Sequence, residues 1–407
     1  MKHTIIILTA MLAASSAFAK TTVNYFSFTT DAPHVATLNT LIATFQQQNP
    51  DIEVKVTTAP FDSYFTKLQT QIAAGQAPDV FELNYENFVT FASKGILSDL
   101  NAQMKADKTL KPGAFYPAAQ NAFRYQGKQL GLPITFSTVV LFYNKTLFDK
   151  AGVAYPTNAW TWKDVTNAAK KLSDPAKKVW GIYQPVQFWE FYKVAKQAGG
   201  GLNVTANGVQ IDSPANRRAL HYLVDKILVD KIQPSEAQLS GMDNSDLFLN
   251  GQLGMLVSGI WMFSKFAPAT FTWDIAVEPG GVRKATHFFS NSAVVSAASK
   301  SQDAAYKWVK FLAVAPETVK ARIDTSWDLP ALSLSQRAQL QSYLAKPQPA
   351  NREVVFESLR SAINPPVVAN QSQLQDIINQ ELQAASLGTK TVEQALASAQ
   401  ARAKGIK

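Results

Sequence analysis

Three rhythms of apolar residues follow one another along the chain. The first is a short run, Ile5-Ile6-Ile7-Leu8-Thr9-Ala10-Met11-Leu12, after Lys2 and His3 and ahead of Ala17-Phe18-Ala19. A basic start, a brief apolar core and an A-x-A end predict a secretory signal peptide cleaved after Ala19, too short for a membrane span. Alternation follows: Thr22-Val23-Asn24-Tyr25-Phe26 reads as a buried strand. Ile52, Val54 and Val56 alternate with Glu53, Lys55 and Thr57, the pattern of a half-buried strand. Between them Val35, Leu38, Leu41, Ile42 and Phe45 recur at helical spacing, with Asp31 as candidate cap and Pro33 in the first turn. A second helix carries Tyr64, Phe65, Leu68 and Ile72, and Asp79-Val80-Phe81-Glu82-Leu83 is a third strand. This β-α-β-α-β order predicts a parallel sheet with right-handed crossovers. Ligands of such sheets sit beyond the carboxyl ends of the strands, here Ser27 to Asp31 and Glu82 to Asn87.

Later breaks in pattern divide the chain. Gly131-Leu132-Pro133-Ile134-Thr135 interrupts one segment and Val139-Val140-Leu141-Phe142-Tyr143 begins another, which puts a first crossing between lobes near Thr135. Thr161 caps a predicted helix from Val165 to Leu172, and Phe188-Trp189-Glu190-Phe191-Tyr192 is an aromatic cluster. A polar helix covers Pro214 to Val229, and a strand, Leu253 to Val257, runs into Gly259-Ile260-Trp261. Glu278-Pro279-Gly280-Gly281 and Trp327-Asp328-Leu329-Pro330 are the second and third candidate crossings, with a short strand from Ala293 to Val295 between them. A lobe of residues 20–135 plus 280–327 and another of 136–279 plus 328–407 follow. The chain of 407 residues is too long for one ordinary core.

Composition narrows the chemistry. There is no cysteine, so disulfides, thiol nucleophiles, thiolate metal sites and a diacylglycerol anchor on an N-terminal cysteine are not expected. With that signal style the expected product is soluble and periplasmic. The formal charge of +9 has no dense Lys/Arg stripe interleaved with aromatics behind it, so nucleic acid is not an expected partner. G-x-S-x-G, H-E-x-x-H, Walker A and G-x-G-x-x-G patterns are all missing. His34, His221 and His287 are far apart in sequence and read as isolated, so no metal or other cofactor is expected. Glu82 and Glu86 are the one carboxylate pair placed at a cleft, and binding explains them more economically than hydrolysis.

Several segments then resemble one family in order. Gln71-Ile72-Ala73-Ala74-Gly75-Gln76-Ala77-Pro78-Asp79-Val80 is similar to the "AAG-x-APDV" segment of extracellular solute-binding proteins of ABC importers. Gly131-Leu132-Pro133, with Leu141-Phe142-Tyr143-Asn144-Lys145-Thr146-Leu147-Phe148-Asp149-Lys150-Ala151-Gly152, resembles their "GLP…YNKDLFKKAG" stretch. Asn250-Gly251-Gln252 to Trp261 and Val392-Glu393-Gln394-Ala395-Leu396 continue it. The resemblance is to the maltose-binding-protein-like, sugar-binding branch. It implies a periplasmic-binding-protein fold, two α/β lobes joined by three hinge crossings around a central cleft. It also implies a monomer without catalytic activity and, as partner, the transmembrane subunits of an ABC permease.

Sugars offer apolar faces to aromatic plates and hydroxyls to polar groups. Trp261, after a glycine turn, stands where the family places a stacking aromatic. Trp189, with Phe188 as competitor, and Trp327 at the third crossing are further aromatic candidates. Glu82 and Asn84 end the third strand and should face the cleft, and Tyr85 and Glu86 follow on the loop. Ser137 follows the first crossing, where the maltose-binding family member carries a carboxylate, so maltose itself is not the expected ligand. Asp31 competes between capping and hydroxyl binding, and Asn291 precedes a strand. Trp160 and Trp162 read as packing. Two other readings stay open: the same fold binding a phosphorylated polyol or acidic sugar through Arg124, Lys265 or Arg283, and a secreted polysaccharide-active enzyme.

Overall fold

The computed structural model describes residues 20–406 apart from 207, 240, 333–336 and 369, so the expected signal peptide lies outside the described residues. The alternating and helical rhythms at the start become β1 (Thr21–Ser27), α1 (Ala32–Gln48), β2 (Ile52–Thr58), α2 (Phe61–Ala73) and β3 (Val80–Asn84), followed directly by α3 (Tyr85–Ala92). Strands β2 and β3 both run parallel to β1, one on each side of it. Alternation sends Val23, Tyr25 and Val80 to a core under α1, and Phe26, Phe81 and Leu83 to one with Tyr64, Leu68, Phe88 and Phe91. On α1 the buried face includes His34, whereas Val35 is only half-buried. Asp31 stands at the cap position without a capping side-chain bond.

The centre of the molecule is β4 (Leu132–Asn144), thirteen residues long and buried throughout. This corrects the reading of Gly131–Thr135 as a break. Proline has no N–H for the ladder and is normally kept to edges or bulges; here the register of the partner strand shifts between Asn291 and Ser292, next to the pairing of Ser292 with Pro133. The chain then forms α4 (Trp162–Leu172), β5 (Trp180–Tyr183), α5 (Phe188–Gln197), α6 (Pro214–Leu228), β6 (Leu253–Gly259), β7 (Trp273–Ala276) and β8 (Thr286–Val295). After α7 (Gln302–Val314) and α8 (Pro316–Thr325) come β9 (Leu329–Pro330), α9 (Gln371–Ser386) and α10 (Val392–Arg402).

The main sheet runs β2-β1-β3-β8-β4-β6-β5. From Leu132 to Thr138, β4 pairs antiparallel with β8; from Val139 onward it pairs with β6 and, near its end, with β7. Its partners therefore change between Thr138 and Val139, a little beyond the expected Thr135. The backbone passes from the β6–β7 side to the β8 side between Ala276 and Thr286, and β9 lies against Phe136 and Thr135. These places coincide with the second and third pattern breaks. The β6–β7 half has its own core, in which Val139, Leu141, Ile182, Met255 and Val257 pack on Val165, Ala168 and Ala169 of α4. Among the described residues no helix is long and apolar enough to cross a membrane.

Candidate functional site

Beyond the end of β6 the chain turns through Ile260–Met262, and the Trp261 indole folds back over Gly259. A Cβ on Gly259 would stand 1.8 Å from Cζ3 of that ring, so a larger residue there would displace the indole. Trp261 meets Phe289 of β8 edge-on, with centroids 5.3 Å apart. Trp189, near the start of α5, meets the same ring at 6.3 Å. Phe289 lies opposite Ser137 in the β8–β4 ladder. All three rings are half-buried, which leaves apolar surface to offer a ligand.

Polar groups lie beside these plates. His287, two residues before Phe289 and stacked on it, is fully buried. Its Nε2 is 2.8 Å from Oε1 of Glu86 on α3, and its Nδ1 is hydrogen-bonded to the Tyr192 hydroxyl on α5. Burial holds the imidazole below its usual pKa, with Glu86 pulling the other way. The second oxygen of Glu86, Oε2, is buried and has no hydrogen-bond partner among the described residues. Tyr85 is half-buried next to it, and burial followed by the Glu86 charge raises its phenol. The Asn84 amide oxygen accepts from the Asn87 backbone at 3.3 Å and its side chain at 2.8 Å, which caps α3.

Helix α5 is fixed from below. Lys193 Nζ lies 2.8 Å from Glu190 and 2.5 Å from Glu278, and all three side chains are within 2 % of complete burial. Gln184 joins Glu190 at 2.6 Å, and Gln197 donates to Glu278 at 3.0 Å and accepts from the Trp162 indole at 2.9 Å. Burial raises the Glu278 carboxyl to about 7 despite Lys193. Glu278 belongs to the second crossing, so this network joins the helix carrying Trp189 and Tyr192 to that crossing. Trp162 stacks on Tyr222 at 4.1 Å, and Thr161 completes a capping box with Asp164.

A second polar group occupies the ends of β1 and β3. Glu82 Oε1 accepts from the Tyr25 hydroxyl and, at 3.1 Å, from Ser27, and burial raises its carboxyl. Trp327 stacks on His34 with centroids 4.9 Å apart, and the Arg322 guanidinium lies 4.4 Å from the same ring. His34 Nδ1 is 3.5 Å from Asp31, and its Nε2 is 3.0 Å from the Ser264 hydroxyl, on the turn after Trp261. Asp328, next in sequence, interacts with the Thr135 hydroxyl, and burial raises it to about 7. Thr135 Oγ1 accepts from Asn291 Nδ2 at 3.2 Å.

The expected site residues thus fall into two sets. Trp261, Trp189, Tyr85, Glu86 and Ser137 gather around Phe289 and His287. Asp31, Glu82 and Trp327 gather around His34 and Arg322, and Asn291 lies between the sets through Thr135. Asn84 is engaged as a cap, and Asp31 is exposed. His34, His221 and His287 stay apart from one another, and each bonds a side chain from a distant segment, His221 reaching Glu393 at 3.1 Å. Lys265 pairs with Asp246 at 2.8 Å, while Arg124 and Arg283 are exposed, and none of the three belongs to either set. Among the described residues no group of three or more His, Cys, Asp or Glu is arranged to hold a metal ion.

The profile of bacterial extracellular solute-binding proteins matches residues 31–318. The chain belongs to this family. The solute-binding protein is 47% identical, with a TM-score of 0.90 over 94% of its length and 97% of the other chain, to an ABC substrate-binding protein of Listeria monocytogenes solved in complex with cycloalternan. It is 28% identical over 68% of its length to a putative ABC transporter periplasmic-binding protein of Escherichia coli. It is 25% identical over 75% of its length to the maltotriose-binding protein of Pyrococcus abyssi. The matches cover 65% and 64% of those two relatives' lengths.

Proposed function

We propose that this solute-binding protein binds a carbohydrate, a mono- or oligosaccharide, in a cleft between two lobes and delivers it to the transmembrane subunits of an ABC permease from the periplasm. The lobes are those expected from the sequence, 20–135 plus 280–327 and 136–279 plus 328–407, and the protein acts as a monomer. One observation carries the reading. A buried carboxylate oxygen without a donor, Glu86 Oε2, lies in the same cluster as Trp261, Trp189 and Phe289. A sugar hydroxyl supplies that donor while the C–H face of its ring covers indole. Trp261, Trp189, Tyr85, Glu86, Ser137 and Asn291 are the contacts we assign, and Asn84 serves by setting the angle of α3. The relatives bound to cycloalternan or named for maltotriose support the ligand class. Of the cations expected to hold an acidic or phosphorylated ligand, Lys265 is paired with Asp246, and neither it nor Arg124 or Arg283 belongs to either set. Engagement of Glu82 by Tyr25 and Ser27 weighs against Glu82 and Glu86 acting as a hydrolytic pair. Titration calorimetry of the mature protein against neutral gluco-, galacto- and manno-saccharides of increasing length tests the proposal. Saturable heat with at least one series is expected, lost on Trp261→Ala, and silence across the panel refutes it.

A further inference from the structure

Two of the three histidines after the expected signal peptide repeat one arrangement. On each ring one nitrogen faces a carboxylate of its own lobe and the other a hydroxyl of the opposite lobe, in the lobes proposed above. His34 Nδ1 is 3.5 Å from Asp31, and its Nε2 is 3.0 Å from the Ser264 hydroxyl. His287 Nε2 is 2.8 Å from Glu86, and its Nδ1 is bonded to the Tyr192 hydroxyl. A neutral imidazole has one donor and one acceptor. The nitrogen facing the carboxylate carries the hydrogen, which leaves the other to accept from the hydroxyl. Both rings are buried, His34 stacked on Trp327 and His287 on Phe289. The third, His221, is exposed between Asp225 and Glu393, both of its own lobe.

We propose that the His34–Ser264 and His287–Tyr192 bonds form a proton-sensitive latch: neutral rings hold the lobes together over the ligand, and acidification parts the lobes and releases it. This rests on the carbohydrate and two-lobe reading above. A protonated imidazole donates from both nitrogens and accepts from neither hydroxyl. Tyr192 is buried, and an O–H left there without its acceptor is costly. Once the lobes part, water solvates the imidazolium, and the carboxylate of its own lobe still faces it. Burial holds His34 below its usual pKa, with Asp31 pulling up and Arg322 of α8 pushing down. Burial does the same to His287, with Glu86 of α3 and Glu190 of α5 pulling up and Lys193 of α5 pushing down. Glu278 of the second crossing and Tyr85 act on the Tyr192 end of that bond. An exposed imidazole titrates near 6.5. The open form therefore takes up protons first as pH falls, and opening is favoured below about that value.

The experiment is calorimetry between pH 7.5 and pH 5 against the tightest-binding member of the neutral gluco-, galacto- and manno-saccharide panel, which does not itself titrate. Wild type, the double variant His34→Gln with His287→Gln, and the control His221→Gln are compared in two buffers of different ionisation enthalpy. Wild type is expected to bind about tenfold or more weakly at pH 5 than at pH 7.5 and to release protons on binding near pH 6. His221→Gln should behave the same, and the double variant should lose most of both effects. Glu278 and Asp328, each raised by burial to about 7, remain in the double variant. A fall in affinity that it keeps in full belongs to such groups and overturns the latch. Level affinity in wild type, or proton uptake on binding, overturns it too. If the double variant does not fold, each single variant is expected to release about half the protons of wild type, and full release from both is the contrary result. In all these cases the carbohydrate reading stands; absence of binding to every saccharide at pH 7.5 sinks both.

Discussion

A methyl group added at Gly259 would collide with the Trp261 indole at 1.8 Å, and the ring is the one that has to move. Gly259→Ala is therefore expected to weaken saccharide binding about tenfold by tipping one plate out of the site; unchanged affinity in a titration would show that Trp261 does not touch the ligand. His287 adds a pH effect of definite sign. Burial lowers its folded pKa, so the unfolded chain takes up its proton first as pH falls. Its contribution is complete above the unfolded value of about 6.5 and fades below it. His287→Gln should accordingly show a flatter fall in melting temperature between pH 7 and pH 5 than wild type, and parallel profiles would contradict this. At this scale the sequence pointed to Trp261 through its glycine turn and to Glu86 through its strand end. His287 and Phe289 were hidden, because the polar run Ser290-Asn291-Ser292 masks the alternation of β8 and only Ala293 to Val295 reads as strand. Arg322 was equally hidden, since a lone arginine in an amphipathic helix usually faces water.

Helix α5 shows how an element is held where its side chains are needed. Among the described residues Lys193 is the cation in direct contact with both Glu190 and Glu278, in a fully buried setting. Replacing it by Met leaves two acids without a counter-charge, and a loss of about 3–5 kcal/mol of unfolding free energy is expected in urea denaturation. A loss well under 1 kcal/mol would mean that the neighbouring glutamines and Lys226 suffice. Helices were largely legible because caps and apolar spacing are local signals: Thr161 with Asp164 and Thr391 with Gln394 form capping boxes at starts visible in the sequence. Strand β4 was not legible as one element. Gly131 and Pro133 are local breakers, and their acceptance depends on the shifted register in β8, far away in sequence.

At the scale of the whole molecule, polar contacts join the aromatic ones in linking opposite sides of the partner change in β4. Glu86 on α3 reaches Tyr192 on α5 through His287, and His34 on α1 reaches Ser264 beyond β6. Helix α9 also packs on α3. On the proposed two-lobe function, a ligand bound by both sides stabilises the arrangement that makes these contacts by its differential affinity. Saturating saccharide is therefore expected to reduce the radius of gyration in solution scattering. At a hundredfold excess over Kd it should raise unfolding free energy by about 2.7 kcal/mol. Stabilisation without any contraction would argue against hinge closure. The ordered motifs and pattern breaks made the two-sided architecture legible, whereas the bridging contacts depend on side chains that meet only in three dimensions. The continuous strand at the centre has a further consequence for biogenesis. It emerges from the ribosome long before Leu253–Gly259 and Thr286–Val295, which complete the ladders on its two flanks. Until those segments are made, the nascent polypeptide holds a thirteen-residue ribbon that it has no means to satisfy. On the proposed periplasmic function, slow acquisition of structure of this kind suits a precursor threaded across a bilayer before it folds.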